Sequence, residues 1–175
     1  MILDGFLAFD VAALVNPNGT TQNSTNVIDL HISGGGLPVL ANLQGARDIG
    51  IGDDPALKLL VQVTTAYTGG TSLSVTLQGA TDNGSGAPAT YSTWYVSAVY
   101  TTAQLVAGAR LLDMDMPRPP AGVAIPRFLR LVYTSVGAVS GNISSFIVLD
   151  RHDQMYQSTN NAVLGGYPPG IAIAN

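Results

Sequence analysis

The chain contains no glutamate: all eleven of its acidic residues are aspartate, and its seven bases are six arginines and Lys58. Glu, Lys, Arg and Gln normally coat the exposed faces of helices, because they lose little rotamer freedom there. A chain short of these residues and rich in Thr, Ser, Val, Gly and Asn is poorly suited to a helical bundle or a βαβ enzyme. It suits short strands joined by turns, and its 20 Gly and 10 Pro supply the turns.

The 175 residues suffice for one domain. A net charge of −4 with a single Lys argues against a nucleic-acid partner, since neutralising phosphates needs a basic stripe. There is no Cys, hence no disulfide, thiolate ligand or Cys nucleophile, which fits folding in a reducing cytoplasm. The opening stretch MILDGFLAFDVAALV carries Asp4 and Asp10 without a basic segment, so it does not read as a secretory signal. No apolar run reaches the roughly 18–20 residues of a membrane span, so no membrane partner is expected. Yet 46% of residues are apolar, only 10% are charged, and the mean hydropathy is +0.28. So few charges leave the surface of a monomer of this size to be coated by Thr, Ser, Gly and Asn or covered by partner chains, and the placement of the charges favours partner chains.

The charges are also unevenly placed. Between Pro55 and Ala109 there are two, Lys58 and Asp82, and from Gln154 to Asn175 there is none on a side chain. The division expected is an N-terminal arm (1–26), a β-sandwich (27–151) and a neutral C-terminal tail (152–175). Both end segments are read as arms laid along a neighbour. Leu164, Tyr167, Ile171 and Ile173 supply apolar area in the tail.

Strand signals fill the middle. Val27 to Ile32 alternates, as do Leu57 to Ala66, with Leu59, Val61 and Val63 inward, and Thr71 to Gln78, with Leu73, Val75 and Leu77 inward. The last two runs are separated by Tyr67-Thr68-Gly69-Gly70, of hairpin length. Tyr91 to Val99 reads as an aromatic strand holding the only Trp, Trp94, on a face with Val96. Arg110 to Met116 places Leu112, Met114 and Met116 opposite Leu111, Asp113 and Asp115. Pro117 to Pro126 cannot be a central strand. Arg127 to Thr134 and Asn142 to Asp150 read as a second hairpin. Short helices fit only near Phe6–Val15 and Ala103–Ala107. Seven or eight strands at turn-punctuated spacing make an all-β sandwich or barrel.

Candidate chemistry is sparse. Asp113 and Asp115 share a strand face, a spacing open to a glycosidase pair or a Ca²⁺ site, but a solvated outer face explains it. Asp48, Asp53 and Asp54 lie near flexible Gly without the EF-hand pattern, and read as a turn. Gly50-Ile51-Gly52 lacks the remaining residues of a phosphate loop. His31 beside Asp29, or His152 between Asp150 and Asp153, is half of a proton-transfer dyad at most, and no G-x-S-x-G elbow is present. Two His without Cys or Glu leave little for a zinc site. The chain therefore reads as a non-enzyme without a cofactor. Arg127-x-x-Arg130 puts two cations on opposite strand faces, one of them free for an ion pair or a subunit contact. A receptor-binding β module that recognises carbohydrate, with Trp94, Tyr91 and Tyr95 as sugar platforms, is the competing reading.

Three stretches carry a resemblance: STNVIDL (Ser24 to Leu30), RDIGIGDDP (Arg47 to Pro55) with the following LKLLVQVTTA, and RFLRLVY (Arg127 to Tyr133) with the strand ending near Asp150-Arg151. Over most of residues 24–151 the chain resembles the jelly-roll cement, or decoration, proteins of tailed-bacteriophage capsids. The neutral tail and low charge fraction favour a homo-oligomer, a trimer ahead of a dimer, and the resemblance implies a jelly-roll-like sandwich that forms small oligomers on the outer surface of the virion head. There it would clamp neighbouring major capsid protein subunits. Arg47, Asp48, Arg127, Arg130 and Arg151, with the four apolar tail residues, are the expected capsid or oligomer contacts.

Overall fold

Runs of β-branched and large apolar residues alternating with Ser, Thr and Gln make ten strands in a computed structural model, which describes residues 7–15, 20–30 and 57–149. They are β1 (Ala8–Leu14), β2 (Thr21–Asn23), β3 (Ile28–Asp29), β4 (Leu57–Thr68), β5 (Ser72–Ala80), β6 (Ser92–Val96), β7 (Tyr100–Thr101), β8 (Arg110–Asp115), β9 (Phe128–Val136) and β10 (Ser140–Leu149). One sheet has the order β1-β10-β4-β8. The other has the order β2-β9-β5-β6, with β3 also on β9 and β7 also on β5. All pairings are antiparallel.

The pairings nest. β1 meets β10, β2 and β3 meet β9, β4 meets β8, and β5 meets β6 and β7. The chain is thus one long hairpin, folded at its tip between β5 and β6 and rolled so that successive rungs fall in alternate sheets. That is a jelly roll. The topology corrects the two hairpins expected from loop length. β4 and β5 lie in different sheets, as do β9 and β10, so the loops between them are corners that carry the chain across the sandwich. At one corner Gly69 and Gly70 have φ of +71° and +61°, and at the other Gly137 has +80°. The corners lie against each other: a Cβ on Gly70 would fall 2.3 Å from Val139 Cγ1. Only Gly fits so close an approach with positive φ.

The core lies between the sheets, and the alternation places its side chains as expected. Leu59, Val61 and Val63 from β4, Leu73, Val75 and Leu77 from β5, Leu129, Leu131 and Tyr133 from β9, and Ile143 and Ile147 from β10 are all at most 1% exposed. Each such apolar side chain contributes about 1.5–3 kcal/mol by leaving water.

Four further expectations change. Phe6–Val15, a possible helix and a segment of the expected arm, supplies strand β1, whose Phe9 is fully buried. Two register shifts against β10 turn Phe9 and Asp10 toward the interior and hide the period of two. Ala103–Ala107 contains only a single 3₁₀ turn, Thr102–Gln104. Leu111 is buried rather than outward, because β8 shifts register against β4 beside it. Trp94 packs in the core while Val96 stands 58% exposed opposite Thr76, since β6 also slips by one residue against β5. A Cβ on Gly79 would lie 2.7 Å from the Trp94 indole, so the bare glycine is what seats the ring.

One charged group is built into this interior. Asp10 is 1% exposed and joins both sheets. Its Oδ2 accepts from Tyr133 Oη at 2.6 Å and Ser145 Oγ at 3.0 Å, and its Oδ1 accepts from the Thr25 amide at 2.8 Å. Burial, then the adjacent carboxylate, pushes the Tyr133 hydroxyl well above its ordinary pKa; Tyr67 is raised for the same reasons.

Candidate interaction surface

The two outer faces of the sandwich differ in charge. On the four-stranded sheet, Asp113 and Asp115 do point the same way, and each is met by a cation. Arg110 Nη1 lies 3.1 Å from Asp113 Oδ2, and Lys58 Nζ lies 3.3 Å from Asp115 Oδ1. Each carboxylate of the pair is thereby tied to a cation of its own. Among the described residues no group of three or more His or Asp side chains could hold a metal.

The six-stranded sheet turns a different surface outward. Strand β5 contributes Ser72, Ser74, Thr76 and Gln78, and β9 contributes Arg130, Val132, Thr134 and Val136 opposite them. Strand β2 adds Thr21 and Asn23, and β6 adds Thr93 and Val96. This face follows directly from the alternation that fills the core, since every second residue of each strand must point away from it. These strand residues are small or branched and uncharged, with one exception.

That exception is Arg130. Its guanidinium carbon stands 3.6 Å over the Tyr91 ring, and its Nε donates to Gln78 Oε1 at 2.9 Å. Arg130 (β9), Gln78 (β5) and Tyr91, which leads into β6, therefore form a row across three elements. Burial raises the Tyr91 pKa, against the pull of the Arg130 charge. At the end of the same sheet Arg127 is committed differently. It makes a two-pronged pair with Asp29, at 2.9 and 3.0 Å, reaches Asp82, and lies 4.9 Å from the Phe128 ring centre. Asp82 in turn organises the loop that follows β5. Its Oδ1 accepts from the amides of Gly84 and Gly86, which hold its carboxyl below the ordinary pKa, with Arg127 adding to the effect.

Of the residues expected to make contacts, the structure thus brings Arg127 and Arg130 to one sheet and gives them separate tasks: the first is locked in an ion-pair cluster, the second is held open on the face. Arg47, Asp48, Arg151, Leu164, Tyr167, Ile171 and Ile173 lie outside the described residues, as do His31, Asp53, Asp54 and His152. The aromatic platform of the carbohydrate reading is dispersed. Trp94 is in the core, Tyr95 packs against it, and Tyr91 carries Arg130. Tyr91 and Gln78 are members of the surface that the sequence alone did not single out as contacts. No signal short of the strand pairing would have found them.

A family model matches residues 18–147, most of the sandwich; it describes Bbp16. The chain belongs to the Bbp16 family. That family is phage-related. A search of curated proteins finds no match. The matched span of this Bbp16-family chain covers both sheets except β1 and the last residues of β10, and it includes the whole Arg130 face. No helix among the described residues is long and apolar enough to cross a membrane.

Proposed function

We propose that this Bbp16-family chain is a capsid cement, or decoration, protein. On this reading it sits on the outer surface of a phage head and holds neighbouring major capsid protein subunits together, as a non-catalytic homo-oligomer, a trimer ahead of a dimer. The observation that carries it is the outer face of the six-stranded sheet, uncharged over nearly its whole extent in a chain from a phage-related family. A surface protein that must remain soluble gains little from such a face unless another protein covers it. The stiff antiparallel frame behind it fixes its shape, as a clamp requires. The neutral stretch from Gln154 to Asn175 supports the same reading, as chain available to reach a neighbour and add to its sheet edge.

A cement acts by mass action. It binds the assembled shell and not the dispersed subunits, so at about 100-fold excess over Kd it adds roughly 2.7 kcal/mol per site. The test is to heat or osmotically shock phage heads decorated with the full chain, with a chain lacking residues 154–175, or left bare. The full chain should protect the heads and the truncated one should protect them less. Equal protection by both would remove the tail's role. No protection by either would overturn the cement reading.

A further inference from the structure

Arg130 is a cation prepared for an anion that the described residues do not provide. Lys58, Arg110 and Arg127 each reach a carboxylate. Arg130 reaches none among the described residues; its contacts are the Tyr91 ring beneath it and Gln78 at Nε. These two contacts fix both the plane of the guanidinium and its rotation, and they leave the two terminal nitrogens as an open fork. That fork matches the two oxygens of a carboxylate, and the freedom an arginine usually loses on pairing is here already lost.

The surroundings narrow the partner. The strand face around the fork, from Ser74 and Thr76 to Val132 and Thr134, contributes no acid. The nearest described acids in the sheet, Asp29 and Asp82, are engaged by Arg127. A second copy whose own six-stranded face lay on this one would bring Arg130 no carboxylate from those strands. A nucleic acid or an anionic membrane would call for a cluster of cations where there is one.

We infer that this face docks a flat, uncharged protein surface that presents a single carboxylate, and that Arg130, seated on Tyr91, is the anchor that receives it. The inference rests on the cement reading, so the acid belongs to a capsid protein. A stacked arginine at the last rung of a neutral face, where it pairs with Gln78, has the composition of an interface hot spot.

The experiment sediments heads lacking this protein with wild-type chain, Arg130→Gln, Arg130→Lys and, as a control on the opposite sheet, Lys58→Gln. Binding by Arg130→Gln should fall roughly tenfold or more. Arg130→Lys should fall too, because lysine keeps the charge but not the fork. Lys58→Gln should bind as wild type. Raising salt from about 50 to 500 mM should weaken wild-type binding more steeply than that of Arg130→Gln. Wild-type affinity in both Arg130 variants would overturn the anchor and leave the cement reading standing. Failure of the wild type itself to sediment with heads would overturn both. If a variant melts below wild type, phenylglyoxal labelling of the wild-type chain decides. Arg130 should be protected on heads and labelled in the free protein, and equal labelling would overturn the inference.

Discussion

At the scale of single residues, Asp10 is the most consequential polar group in the described interior. Three donors from separate stretches of the chain converge on it: the Tyr133 and Ser145 hydroxyls and the Thr25 amide. These hydrogen bonds replace the water that the carboxylate gives up on burial. Removing an acceptor strands its donors, and each stranded buried group costs about 1–3 kcal/mol. Asp10→Ala should therefore lose roughly 3 kcal/mol or more of stability, and Tyr133→Phe, which removes a single donor from the carboxylate, should lose less. Urea denaturation of both variants checks the order; a smaller loss for Asp10→Ala would contradict it. The same residue explains a misreading. A polar side chain in the middle of an apolar run looks like the wet face of a helix, whereas here it is the buried polar junction of the two sheets.

At the scale of elements, the strands with one clean buried face were legible and those with a shifted register were not. In β5 every second residue meets the core, and in β4 Leu59, Val61 and Val63 do, so composition and burial agree there. In β6 and β8 one extra residue, and in β1 two, shift the pattern between faces, and no local signal announces it. Which strands pair was equally hidden. A two-glycine loop closes a hairpin or turns a corner with the same residues, and only the packing of Gly70 against Val139 settles the matter. For the candidate surface, Arg127 and Arg130 were legible as two cations on opposite strand faces, but which of them stands on the neutral face was not, and Tyr91 and Gln78 become neighbours of Arg130 only through the order β9-β5-β6. The loop after β5 carries a pH dependence of its own. Asp82 has its folded pKa depressed by the Gly84 and Gly86 amides, then by Arg127. A depressed acid stabilises the fold fully above its unfolded value, about 3.9, and loses that contribution as pH falls through the folded value. Asp82→Asn should therefore flatten the loss of stability between about pH 5 and pH 2, read from urea midpoints across that range. A slope equal to wild type would show that the loop contributes nothing.

At the scale of the whole molecule, nesting sets both the folding and the mechanics. The outermost rung pairs Ala8 with Phe146, so most of the chain must be enclosed before that pair can form. Folds dominated by such non-local pairings refold in about milliseconds to seconds, against microseconds to milliseconds for helical bundles. Stopped-flow dilution from urea, read through the buried Trp94, should fall in the slower range; microsecond refolding would count against it. The rung has a second consequence. The first residue of β1 and the last residues of β10 lie at one rim of one sheet, with Ala8 beside Phe146 and Leu14 beside Asn142. Tension applied to these two ends therefore runs along the hydrogen bonds between the strands, because antiparallel bonds stand perpendicular to the strand axis. Bonds loaded that way break in succession, like a zip. Load spread over the sheet face is instead shared by many rungs at once. A particle that must resist internal pressure would fail early if it hung on the ends of this chain, and late if it leaned on its face.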